Sequence, residues 1–213
     1  LIMKIFLLYI ISLSFIFSQK ILIPMDNTQN DHLKAYGLAF WILKQNDNID
    51  WLLNYKGGSF LINNKNTYIQ ESQLRGITFY QINVEELNNI YQDIESNNMS
   101  MILLEKLPKI AVYSPPDKQP WDDAVTLALT YAEIDYDIVF DKEVLNGEIK
   151  NYDWLHLHHE DFTGQYGKFY KNYHNALWYK KLELDFNKTA AEFGFESVHA
   201  LKKNVALKIK EYI

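Results

Sequence analysis

The chain's densest chemistry lies in YDWLHLHHEDFTGQYGKFY, Tyr152 to Tyr170, which holds His156, His158 and His159 and continues directly into Glu160 and Asp161. Imidazole changes charge near neutral pH, and a neighbouring carboxylate can fix its tautomer and orientation, so this pairing suits general acid–base work or metal ligation. Period-two alternation in a strand places Trp154, His156 and His158 on one face and Leu155, Leu157 and His159 on the other. Adjacent histidines therefore diverge, and a compact three-histidine metal site would need the backbone to turn at His158. The spacing is not diagnostic of a metal, and none is assigned.

Position favours ligand contact. If Tyr152–His158 is a strand of a parallel sheet, its carboxyl end delivers His158, His159, Glu160 and Asp161 to the edge where open α/β sheets bind ligands. Gly164 and Gly167 flank Gln165 and Tyr166, which reads as a flexible loop over the same edge. The other strand end in this half, SPPDKQPWDD, carries Trp121 toward the crevice, while Asp122 and Asp123 suit the first turn of a helix. The expected ligand-binding residues are His158, His159, Glu160, Asp161, Gln165 and Trp121. The competing reading makes His156 a hydrogen-bonded core residue and has Asp161 or Thr163 cap a turn.

Short β-rich runs alternate with amphipathic runs throughout. KILIP (20–24), IDWLLNY, SFLI, Thr78–Ile82 and MILLE read as strands, with helices from Asn30 or Asp31 to Gln45 and over Val84–Ser96. Pro108 marks a boundary, after which KIAVYSP, YDIVF and YDWLHLH read as strands, and Trp121–Ala132 and Leu201–Tyr212 as helices. Two βα-alternating halves, 20–107 and 108–213, imply an α/β fold with largely parallel sheets.

Ahead of them, Lys4 precedes IFLLYIISLSFIF, which ends in Ser18-Gln19; with Met3 read as the start, residues 1–19 are expected to be a secretory signal peptide. Ile5–Phe17 falls short of the ~20 residues that span a bilayer. The expected location is therefore periplasmic or extracellular, with no membrane association after cleavage. A net charge of −6 offers no basic stripe for phosphates, so nucleic acid is not an expected partner. The absence of cysteine excludes a thiol nucleophile and cysteine-held metals from this chain. Gly57-Gly58-Ser59 fits neither GxxxxGK[ST] nor GxGxxG, and no GxSxG elbow occurs, so no cofactor is named.

Across KILIPMDNTQNDHLKAYGLAFWILKQNDNIDWLLNYKGGSFL and KIAVYSPPDKQPWDDAVTLALTYAEIDYDIVFD the chain resembles an exported bacterial family commonly labelled asparagine synthetase B. Asparagine synthetases themselves join a glutaminase with an N-terminal cysteine to an ATP-pyrophosphatase with an SGGxDS loop. YKGGSFL lacks the Asp-Ser, so the resemblance does not extend to that chemistry. The second half is similar to the class I glutamine amidotransferase-like fold, a flavodoxin-like arrangement, with Tyr152–Leu157 matching a YDVLVLPGG-type strand and His158-His159 where the glycine pair would lie. At that point the chain departs from the pattern that supplies the usual oxyanion arrangement. The resemblance further implies that this half is incomplete and that the intact protein continues past Ile213 with a Gly-Gly turn, an apolar strand and a cysteine elbow.

Two functions follow as expectations. One is an exported hydrolase of amide, ester or glycosidic bonds; the other is a noncatalytic module binding a small molecule, carbohydrate or peptide in the same crevice.

Overall fold

The structure, a computed structural model, describes residues 20–115, 124–157 and 166–213. The apolar run before Lys20, the Trp121 loop and the stretch from His158 to Gln165 lie outside the described residues. Among the described residues there are eight α-helices and two sheets, one of them parallel, in two compact units.

The first unit comprises residues 20–107 with 131–134. Its strands are β1 (Lys20–Ile23), β2 (Ile49–Leu53), β3 (Ser59–Asn63), β4 (Tyr80–Ile82) and β5 (Ser100–Leu104), and its helices are α1 (His32–Lys44), α2 (Asn66–Leu74) and α3 (Val84–Ser96). The sheet order is β4-β1-β3-β2-β5, and every neighbouring pair is antiparallel. β1–α1–β2 and β3–α2–β4 each link two strands that run the same way with one strand between them, which is the split βαβ arrangement of ferredoxin-like folds.

The expectation of parallel sheets therefore fails for this half, for two reasons. Asn54, Lys56, Gly57 and Gly58 adopt positive φ between β2 and β3 and reverse the chain within a few residues, whereas a parallel pair needs a crossover of about a dozen or more. The Met25 N–H donates to the Lys56 carbonyl at 2.9 Å, and a Cβ at Gly57 would stand 2.4 Å from the Met25 carbonyl oxygen, so glycine alone fits there. The second reason is burial on both faces. Ile21, Ile23, Phe60 and Ile62 meet Leu38, Ile42 and Tyr68 of α1 and α2 on one side, and Leu22, Leu52 and Leu61 meet Leu87, Ile90 and Ile94 of α3 on the other. Strands covered on both faces lose polar alternation and read like parallel core strands.

Local chemistry sets the helix starts. Asp31 caps α1 by accepting from the Lys34 N–H, and Asn83 and Glu86 form a reciprocal capping box on α3. Gln29 is buried: its amide donates to the Pro24 carbonyl at 2.8 Å and accepts from the Thr78 N–H at 2.8 Å, which ties the β1 exit to the approach to β4.

The second unit comprises, of the described residues, 108–115, 124–130, 135–157 and 166–213. Strands β6 (Ile110–Tyr113), β7 (Asp137–Val139) and β8 (Trp154–Leu157) form a parallel sheet in the order β7-β6-β8. Helix α4 (Ala124–Ala132) follows β6, α5 (Asp141–Leu145) and a 3-10 turn (Glu148–Asn151) lie between β7 and β8, and α6 (Tyr166–Tyr173), α7 (Leu177–Glu192) and α8 (Val198–Tyr212) follow. Ala111, Tyr113 and Val139 pack with Val144, Ile149, Phe186, Ala190, Leu201, Val205 and Ile209. Among the described residues no helix is long and apolar enough to cross a membrane.

Two outcomes are expected for the first unit. Ile62 is fully buried in a central strand, so Ile62→Ala should cost about 2–5 kcal/mol in urea denaturation. Asp47 accepts hydrogen bonds from Tyr68 Oη at 2.5 Å and Asn63 Nδ2 at 3.3 Å and pairs with Lys65 Nζ at 2.6 Å. Lys65 first and Tyr68 second hold its carboxyl below the usual carboxylate range. Its stabilisation is present above the unfolded-state value of about 3.9 and is lost as pH falls through the lower folded value. Urea midpoints followed below pH 5 should fall less steeply for Asp47→Asn than for the wild type.

Candidate functional site

The carboxyl edge of the parallel sheet is built around a buried ammonium group. Lys202 of α8 is 0% exposed and Asp141, the first residue of α5, is 2% exposed. Lys202 Nζ lies 2.9 Å from Asp141 Oδ2 and 3.1 Å from Oδ1, and Tyr113 Oη donates to Oδ1 at 2.6 Å. The tyrosine oxygen in turn stands 3.4 Å from Nζ as acceptor. The ammonium also sits 4.0 Å from the Phe186 ring centroid and 4.4 Å from that of Phe140, so aromatic faces supply part of the electrostatic compensation lost with water.

This cluster is absent from the expected site residues. A signal for it exists in SVHALKKNVALKIKEY, where Lys202 falls between Val198, Leu201, Val205 and Ile209 on the apolar stripe of a helix, a place that demands a buried partner for the charge. Nothing in the local sequence identifies that partner, because Tyr113 and Asp141 come from distant elements.

Tyr113 is the last residue of β6, and its registered neighbour is Leu157, the last residue of β8. The chain leaves β6 toward α4 and β7 on one side, and returns from β7 to β8 on the other side of β6. The strand order thus changes direction at the carboxyl ends of β6 and β8, the topological switch point where open α/β sheets bind ligands. The segments that lead from those two ends toward Trp121, and into His158, His159, Glu160, Asp161 and Gln165, start from adjacent strands. The six residues themselves lie outside the described ones. Ser114, just beyond β6, is buried, and its N–H donates to the Val139 carbonyl at 3.0 Å, which extends the β6–β7 pairing to the rim.

His156 lies within β8 in register with Val112, half-buried, with its ring 6.3 Å from that of Trp154 and edge-on to it. The face it shares with Trp154 is opposite the one on which Leu155 and Leu157 pack against the α7–α8 core, which is the division that strand alternation predicts. The sheet's amino edge is closed by polar contacts: the Lys109 N–H donates to Asp153 Oδ2 at 2.8 Å, the Asp153 N–H donates to the Lys109 carbonyl at 2.9 Å, and Tyr152 Oη donates to Asp137 at 3.1 Å. Burial first, and the Asp137 carboxylate second, push the Tyr152 phenol up.

A cleft of about 270 Å³ opens beside the charge cluster, lined by Phe140, Asp141, Lys142, Lys181, Asp185 and Phe186 among others. Among the described residues no group of three or more histidine, aspartate or glutamate side chains could hold a metal ion.

Comparison with protein families, curated proteins and solved structures gives no match.

Removing one member of the buried pair strands the other. Lys202→Met should lose about 3–5 kcal/mol in denaturant unfolding, and adding Asp141→Leu should restore a substantial part of it. A double variant no more stable than the single one would contradict the pairing.

Proposed function

We propose that the second unit is a flavodoxin-like ligand-binding domain, with its crevice at the carboxyl ends of β6 and β8. It takes a small polar ligand, a carbohydrate or a short peptide. The observation that carries this reading is the β7-β6-β8 order with Tyr113 and Leu157 side by side at the switch point. His158, His159, Glu160, Asp161 and Gln165 follow one strand end, and Trp121 belongs to the loop from the other. They supply hydrogen-bond donors, acceptors and an aromatic ring, the inventory that neutral sugars and peptides require.

A second reading is favoured by the immediate succession of His158-His159 and Glu160-Asp161. A carboxylate that orients a histidine makes a general acid–base pair, and on this reading the crevice hydrolyses an amide, ester or glycosidic bond.

The test is a thermal-shift screen of the full chain against neutral oligosaccharides and short peptides, repeated with His158→Ala/His159→Ala. At least one compound should raise the wild-type Tm, and the double substitution should abolish that shift while leaving the unliganded Tm within a few degrees. Equal shifts in both proteins would move the site elsewhere, and release of product during incubation would favour the hydrolase.

A further inference from the structure

From the outer face of α7 we infer a docking surface for an anionic lipid bilayer. Tyr179, Phe186, Thr189 and Ala190 bury one side of this helix. Leu177, Lys181, Leu184 and Lys188, spaced at i, i+4, i+7 and i+11, form the opposite stripe. Leu177 is 85% exposed and Leu184 70%. Trp178, Tyr173 and Tyr170 extend the exposed apolar surface into α6: the Tyr173 and Trp178 rings lie 5.3 Å apart, and Tyr170 stacks on His174 at 5.3 Å.

Charge selects the partner. Lys171, Lys180, Lys181 and Lys188 stand on this surface against Glu183, which is half-buried, Asp185, and Glu192 at its far end, the last paired with Lys142. A cationic ridge on a chain of net charge −6 is a local asymmetry, and beyond a Debye length of about 8 Å the rest of the chain is screened. Leucines separated by ammonium groups fit a protein groove poorly, since docking would strip water from the lysines. A bilayer interface takes both: leucine and aromatic rings enter the acyl boundary while the lysine stems rise to lipid phosphates. Whole-chain charge, which argues against such a surface, does not register this arrangement.

The test is co-sedimentation of the full chain with phosphatidylglycerol vesicles and with phosphatidylcholine vesicles, alongside Lys181→Glu/Lys188→Glu and Leu177→Ser/Leu184→Ser. The apolar run before Lys20 is common to all three proteins, so the comparison isolates the ridge. Wild type should bind phosphatidylglycerol vesicles at least about tenfold more tightly than phosphatidylcholine ones, each double variant should lose about tenfold on the anionic vesicles, and added salt should weaken wild-type binding. Circular dichroism should be unchanged, because all four side chains are exposed. A blue shift of wild-type fluorescence on anionic vesicles that shrinks in Trp178→Phe would locate the contact. Equal binding to both lipids, no binding, or variants that bind like wild type would overturn the proposal.

Discussion

An ammonium group withdrawn completely from water needs a compensating environment, and in the second unit that need organises the carboxyl edge of the parallel sheet. Lys202 comes from α8, its carboxylate from the residue after Phe140, the bridging phenol from the end of β6, and the covering ring of Phe186 from α7. Four elements, spread from Tyr113 to Lys202, converge on one charge. Because Tyr113 closes β6 and Asp141 opens α5 shortly beyond β7, the same contacts hold the carboxyl ends of those strands at fixed spacing. The backbone pairing of Ser114 with Val139 continues this order to the rim.

The two units solve the problem of burying a sheet differently. In the first, α1 and α2 cover one face and α3 the other, and the antiparallel order follows from a tight reversal between β2 and β3. In the second, the α7–α8 core covers the face that carries Tyr113 and Leu157, while Trp154, 45% exposed, stands on the opposite face. Only the second arrangement creates a switch point, and the histidine-rich stretch follows a strand that borders it.

Much of this was legible in residue order. The α1 and α3 stripes, a cap for α1 at Asn30 or Asp31, which the structure gives to Asp31, and the strands β1, β6 and β8 follow from spacing at three and four, from capping chemistry and from apolar runs. The direction of the first sheet was not, because Ile21 to Ile23 and Phe60 to Ile62 are buried on both faces and carry no polar alternation to mark an antiparallel pair. Helix α7 escaped for the opposite reason: Leu177 and Leu184 on its outer face blur the apolar stripe of Tyr179, Phe186 and Ala190. The strand end before His158 was legible, while the Lys202 cluster was not, since its partners meet only through the fold.

The central claim, that the buried Lys202 charge holds the carboxyl edge together, is tested most directly by hydrogen–deuterium exchange of the wild type and Lys202→Met. Amides of 110–115 and 137–142 should exchange faster in the variant, while those of β1 and β3 in the first unit keep their protection. Unchanged protection at 110–115 and 137–142, or an equal loss across both units, would contradict it.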